Sequence, residues 1–359
     1  MLNNDNRKKH IVILAVIAIS IYALFLRIDS RAHYDLVEDE IFEIDGMSGG
    51  LARLIKTLPV EEINGYLNGD HLLVYPFFKM FSFNKWGLAI PHIIATIIGF
   101  YLLYLVCSLY FKTILGYIVT FGVVCCNSTL VYHATEIRPY AVLPTLALGC
   151  LYFSEVLINE SNPSPVKKCL IGAFFLLTIC FHTYGIFMLL FSMTYAIVTK
   201  PGIRSFGSIF KSISRMLIIV ISIGLPFWLY CVFGPSRIRL DFDVYKYIPD
   251  PRINIVGFLK AIFGNLVGFK KFYFLLVALA FPLILAYKER LKQIFFLFIM
   301  VFFPVLLVYI CDIKAQMYFL QRQFIWTMPY FAIILGWSCD SFVSYVIPKL
   351  SPLIKGEDK

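Results

Sequence analysis

The feature that most constrains this chain is the recurrence of long apolar runs. Ile11 to Leu26, Gly87 to Phe111 and further stretches toward the C-terminal end pass with almost no charge. At roughly 1.5 Å of rise per residue, about 20 apolar residues cross the ~30 Å hydrocarbon layer of a bilayer. Apolar residues make up 60% of the chain and charged residues 15%, with a mean hydropathy of +0.79. A water-soluble domain needs far more charge on its surface. A soluble fold is excluded, and an all-α polytopic membrane protein is expected. About ten spans are predicted, at 11–26, 87–111, 113–132, 139–158, 169–181, 184–198, 216–233, 272–287, 293–311 and 324–346.

The placement of charge orients these spans. Arg7, Lys8 and Lys9 precede the first one, and no small-x-small cleavage site follows it, so it is expected to stay as an uncleaved anchor with its basic end in the cytoplasm. Lys167 and Lys168, the 200–215 loop and Lys288 to Lys292 then fall on the same side, as the excess of Lys and Arg in cytoplasmic loops requires. Both termini are expected in the cytoplasm. The net charge of +10 lies between the apolar runs and forms no stripe, and no groove-reading motif accompanies it, so nucleic acid is not an expected partner. The nine cysteines lie mostly inside apolar runs and contain no CxxC, which implies neither a disulfide framework nor a zinc site.

Three outer segments are patterned beyond the needs of a connector. The first, 27–86, is acidic, and Leu51, Leu54, Ile55 and Leu58 recur at helical spacing, as do Leu72, Tyr75 and Lys79. Short helices lying in the membrane interface are expected there. The second is 234–271 and the third, 312–323, carries Lys314 and Arg322. The whole of 1–359 is expected to be one transmembrane domain without a soluble C-terminal domain.

Five features could carry chemistry, and all fall on the outer side of this topology. Glu38-Asp39-Glu40 places carboxylates side by side, which suits a base with an orienting partner, or a divalent-metal ligand; a solvated acidic turn also accounts for it. In His133-Ala-Thr-Glu136-Ile-Arg138-Pro-Tyr140 a helix ends and Pro139 starts the next. Arg138 can grip two phosphate oxygens with its planar fork, or it can be an interfacial arginine paired with Glu136. His182, in the segment Phe181 to Gly185, is either a site residue or a satisfied structural histidine. Arg322 before the last span is either a second phosphate ligand or a snorkelling anchor. His71 completes the set. A transporter places ionisable groups at mid-membrane depth, whereas the middles of these spans are nearly free of charge.

Taken in order, these pieces resemble the C-type glycosyltransferases of membranes (GT-C), in the bacterial branch akin to protein mannosyltransferases and aminoarabinose transferases. The likeness runs from VEDEIFEI at Val37 to the segment QRQFIWTMPYFAIILGW ending at Trp337. It implies transfer of a sugar from a polyprenyl-phosphate donor to an acceptor hydroxyl at the extracytoplasmic face of a bacterial cell membrane, with a glycan, a lipid or a protein as acceptor. It places the general base on Asp39 with Glu40 beside it, and the donor phosphate on Arg138 and Arg322. His71, Glu136, Tyr140, His182 and Tyr184 follow as substrate-binding positions. Two departures stand out. The family's HPPL is His71-Leu-Leu-Val here, and one residue separates His182 from Tyr184 where the family has none.

The chemistry asks for the same parts. A lipid-phosphate sugar is already activated, so a base for the acceptor and cations for the leaving phosphate suffice. No cofactor is expected, and a divalent metal is indicated only as an option on Asp39 and Glu40. The 22 Tyr and 35 Phe suit an isoprenoid tail and a stacked sugar ring, and equally suit core packing. The alternative from another class is a flippase or transporter of a lipid-linked glycan.

Overall fold

The structure, a computed structural model, describes residues 4–57, 69–160, 162–182, 184–199, 222, 291–315 and 321–348. The expected spans at 216–233 and 272–287, and the outer segment 234–271, lie outside the described residues. Among the described residues every regular element is helical. Three helical stretches are long and apolar enough to cross a membrane: Lys8–His33, Lys85–Tyr110 and Pro139–Asn159.

The first helix, α1 (Asn4–His33), runs a further seven residues beyond the expected end at Leu26 and so carries Arg27 and Arg31 into the protein. Ile11, Leu14, Ile17, Ile21 and Phe25 are exposed along it, the surface expected of a peripheral helix facing lipid. Three helices follow in the first outer segment: α2 (Glu38–Ser48), α3 (Leu51–Thr57) and α4 (Gly69–Phe81). Leu51, Leu54 and Ile55 of the expected periodicity fall on α3 and Leu72, Tyr75 and Lys79 on α4, while Leu58 lies outside the described residues; the acidic triplet, expected as a loop feature, opens α2. Gly69 is required where α4 starts, because a Cβ there would lie 2.5 Å from the Cys180 carbonyl oxygen.

Then come α5 (Lys85–Tyr110), α6 (Ile114–Cys126), α7 (Ser128–His133), a 3-10 turn (Pro139–Ala141), α8 (Leu143–Asn159), α9 (Pro165–Phe181) and α10 (Gly185–Thr199). The run 169–198, ambiguous by length, is two helices turning at His182 to Tyr184. After 290 come α11 (Leu291–Ala315), a 3-10 segment (Gln321–Thr327) and α12 (Met328–Ser341).

The expected third span, 113–132, is not continuous. It breaks at Asn127, whose side chain accepts from Leu130 N (2.9 Å) and so starts α7 as a new helix. Such a break leaves the last carbonyls of α6 without intrahelical donors. Buried Arg27 supplies them, donating to Val124 O (3.3 Å) and Cys125 O (3.1 Å) while its guanidinium sits 5.1 Å from the centre of the Phe100 ring. The opposite end of α6 is met by buried Asp340 of α12, which accepts from Lys112 N (3.0 Å), Thr113 N (2.6 Å) and Thr113 Oγ1 (2.7 Å). A cation at the C-terminus and an anion at the N-terminus both match the helix dipole. Replacing Arg27 with methionine strands those carbonyls in apolar surroundings. We expect a loss of about 2 kcal/mol in stability, read as a lowered unfolding temperature in detergent, with Arg27→Lys falling in between.

Helix α12 is the core of the described bundle, with every residue from Met328 to Ser338 buried. It packs on α6 backbone to backbone. A Cβ on Gly336 would stand 1.9 Å from Thr120 Oγ1 and 2.6 Å from the Gly116 carbonyl oxygen. Small residues permit this approach where, inside lipid, no hydrophobic gradient drives helices together. Because the helices alternate in direction, the C-terminal ends of α1, α7 and α9 and the N-terminal ends of α2, α5, α8, α10 and α12 gather at one end of the bundle.

Candidate functional site

At that end a chain of alternating charges crosses five elements. Its centre is Asp39, in the first turn of α2 and half-exposed. Its Oδ2 lies 3.1 Å from Arg138 Nη2 and 2.9 Å from Arg322 Nη2. Arg138, in extended backbone just before Pro139, is 2% exposed; Arg322 enters from the 3-10 segment before α12. One helical turn after Asp39, Glu43 places Oε1 3.4 Å from Arg138 Nε and Oε2 against His71 Nε2 of α4. On the other flank Glu136 pairs with His133 Nδ1 and lies 3.8 Å from Arg322 Nη1. The order is therefore His71, Glu43, Arg138, Asp39, Arg322, Glu136, His133.

Glu40 belongs to a different set of contacts. It is 1% exposed and binds Arg31 Nη1 through both oxygens at 2.9 and 3.1 Å. It also accepts from Val37 N at 3.0 Å, capping its own helix, and from Ile137 N at 2.8 Å. One carboxylate thus joins the end of α1, the start of α2 and the strand of backbone that carries Glu136 and Arg138. Adjacent residues of one acidic triplet divide the work: Asp39 faces the arginine pair, and Glu40 holds the frame.

An aromatic wall closes one side. The Arg322 guanidinium lies 5.2 Å from the centre of the Tyr140 ring, and Tyr140, His182, Tyr184 and Phe324 follow one another at centroid distances of 6.2, 4.9 and 5.3 Å. His182 Nδ1 accepts from Tyr184 N (3.0 Å), which puts the proton of the neutral ring on Nε2. Burial pulls the His182 imidazole down to about 3, so it is uncharged at neutral pH. For Arg322, burial works against the charge, but Tyr140, Glu136 and Asp39 outweigh it and raise its pKa.

All nine expected site residues lie at this end of the bundle, with Asp39, Arg138, Arg322, Glu136 and His71 in one charged chain, Tyr140, His182 and Tyr184 in the wall, and Glu40 in the frame. The alternative that paired Arg138 with Glu136 is not what the bundle shows: Arg138 meets Asp39 and Glu43, and Glu136 meets His133 and Arg322. Sequence reasoning passed over Glu43, Arg31 and Arg27, and gave His133 no role of its own. For Glu43 a signal existed, since it sits four residues after Asp39 and shares its helix face. A further buried pair, His92 Nε2 and Asp70 Oδ1 at 2.9 Å, fastens α5 to the start of α4 beside His71.

Two concavities adjoin the cluster. A small recess is lined by Arg31, Tyr34, Val37, Tyr132 and Glu136 among others. A small, mostly apolar cavity lies behind Tyr140, lined by Arg27, Thr96, Phe100, Thr145 and Leu148. Among the described residues no three His, Cys, Asp or Glu side chains converge as a metal site, and the two guanidiniums on Asp39 would repel a cation bound there.

No protein-family model and no curated protein sequence matches this chain. Among solved structures it is similar to ArnT from Cupriavidus metallidurans in the apo state, at 11% sequence identity and a TM-score of 0.53. The likeness covers 95% of this chain, which spans 64% of that one. What the two share is a fold: among the described residues this chain is all-helical, and with its long apolar helices it is an integral membrane protein with a fold like that of ArnT.

Proposed function

We propose that this protein is a membrane glycosyltransferase that moves a sugar from a polyprenyl-phosphate donor to an acceptor hydroxyl. The observation that carries this is the convergence of a half-exposed carboxylate, Asp39, with two arginines at the edge of an apolar bundle. Asp39 takes the acceptor's proton as its oxygen bonds to the anomeric carbon. The bond from that carbon to the phosphate oxygen breaks, and its electron pair leaves with the polyprenyl phosphate. Arg138 and Arg322 hold that phosphate and balance the charge it gains, an effect strengthened where water is excluded. No nucleotide diphosphate needs cradling.

The remaining residues position these three. Glu43 fixes Arg138, Glu136 and Tyr140 fix Arg322, and Glu40 fixes the helix that carries Asp39. His71, Tyr140, His182 and Tyr184 offer the sugar an aromatic and imidazole surface. The charge bias of the loops in the sequence supports an extracytoplasmic position for this end of the bundle. A glycan, a lipid or a protein serves as acceptor.

The test is to reconstitute the protein in vesicles with a panel of labelled polyprenyl-phosphate sugars and a cell-envelope extract. Protein-dependent release of polyprenyl phosphate, with the label passed to the extract, is the expected result. Movement of intact donor across the bilayer without bond cleavage would instead establish a lipid-linked glycan flippase.

A further inference from the structure

The proposed chemistry meets an obstacle in the empty site, and its resolution rests on that proposed function. Asp39 is already engaged: a single oxygen, Oδ2, carries both Arg138 and Arg322. Held there, the side chain is turned toward the arginine pair and not toward an incoming acceptor. We infer that Asp39 is an internal stand-in for the donor phosphate, occupying the arginine pair until the phosphate displaces it and releases the carboxylate to act as base.

The two sides of this contact differ in freedom. Arg138 is 2% exposed and Glu43 lies against its Nε. Arg322 is 24% exposed and is set between Glu136 and the Tyr140 ring. Both arginines keep these other neighbours when Asp39 leaves. Asp39 is 46% exposed and stands in the first turn of α2, so its side chain can turn toward water without opening the core. The arginines are the fixed half and the carboxylate is the movable half.

The exchange is also balanced in charge. The phosphodiester of a sugar-phosphate lipid carries one negative charge, as the Asp39 carboxylate does, so the arginine pair sees the same charge before and after. The phosphate brings two free oxygens, one for each Nη2, where Asp39 offers one to both. As the sugar leaves, the phosphate gains a charge and Asp39 loses one to the acceptor's proton. The base therefore becomes available only when a donor is in place, which guards the site against activating an acceptor with nothing to receive.

This predicts that removing the base strengthens donor binding. The probe is farnesyl phosphate in detergent micelles, measured calorimetrically against farnesol, which has the tail without the phosphate. Asp39→Asn should bind farnesyl phosphate about three- to tenfold tighter than wild type, the range that one or two half-exposed ion pairs command. Asp45→Asn makes the same change in net charge at an exposed position farther along α2 and should leave affinity unchanged. Asp39→Ala repeats the test should the asparagine variant fold poorly. Weaker or equal binding in the Asp39 variants would overturn the displacement, as would equal tightening by Asp45→Asn, while leaving the proposed function standing. Equal binding of farnesol and farnesyl phosphate by wild type would remove phosphate from the site and overturn both.

Discussion

Asp39→Asn is expected to lower sugar transfer by roughly 10²- to 10⁴-fold, the usual cost of losing a general base. The amide keeps the shape of the carboxylate but cannot accept the acceptor's proton. Because Asp39 is half-exposed and its arginine partners keep Glu43 and Glu136, the variant should insert and unfold much like wild type. Turnover and stability therefore separate at this position. Glu40→Gln should show the opposite balance. Its carboxylate binds Arg31 and two backbone amides while buried, so its loss weakens the junction of α1, α2 and the Arg138 segment. Initial rates and unfolding temperatures of both variants, at matched expression, check the division. Near-normal transfer by Asp39→Asn would remove it from the mechanism.

The second large effect is expected at Arg138. Arg138→Ala should lose roughly 10²- to 10³-fold in transfer, as removal of a preorganised charge-stabilising donor does. Arg138→Lys keeps a charge but not the fork that reaches Asp39 through Nη2 and Glu43 through Nε, so it should retain a fraction of that activity. Truncation also takes the Arg138 cation away from buried Glu43, which costs stability by itself. Adding Glu43→Gln to Arg138→Ala should recover unfolding temperature and leave donor affinity as low as before. If donor affinity of the folded single variant equals that of wild type, Arg138 is a strut for Glu43 and the phosphate passes to Arg322.

How far the molecule could be read in advance depends on the range of the interactions involved. Spans are announced by hydropathy, which each segment carries within itself, and among the described residues the expected spans fall on helices, the third of them broken in two at Asn127. The gathering of Asp39, Arg138, His182 and Arg322 at one end of the bundle follows from the same source, because counting spans assigns each loop to a side. The break at Asn127 was harder to read. An asparagine within an apolar run costs little to overlook, and the break is sustained by Arg27, distant in sequence, donating to the exposed carbonyls.

Pairing was beyond the sequence altogether. Glu136 and Arg138 are two residues apart and invite each other on paper, yet extended backbone at Arg138 turns the guanidinium toward α2, where Asp39 and Glu43 wait on one helix face. Likewise nothing in Glu38-Asp39-Glu40 tells which carboxylate meets the arginine pair and which is buried as a frame. That depends on where Arg31, Ile137 and Arg322 arrive, and those positions are set by the packing of α1, α7 and α12. Hydropathy is local and periodic, so the chain declares its membrane topology residue by residue. The partners of a charge are decided by close-packed helices that bring residues 283 positions apart to 2.9 Å, and only the folded bundle specifies them.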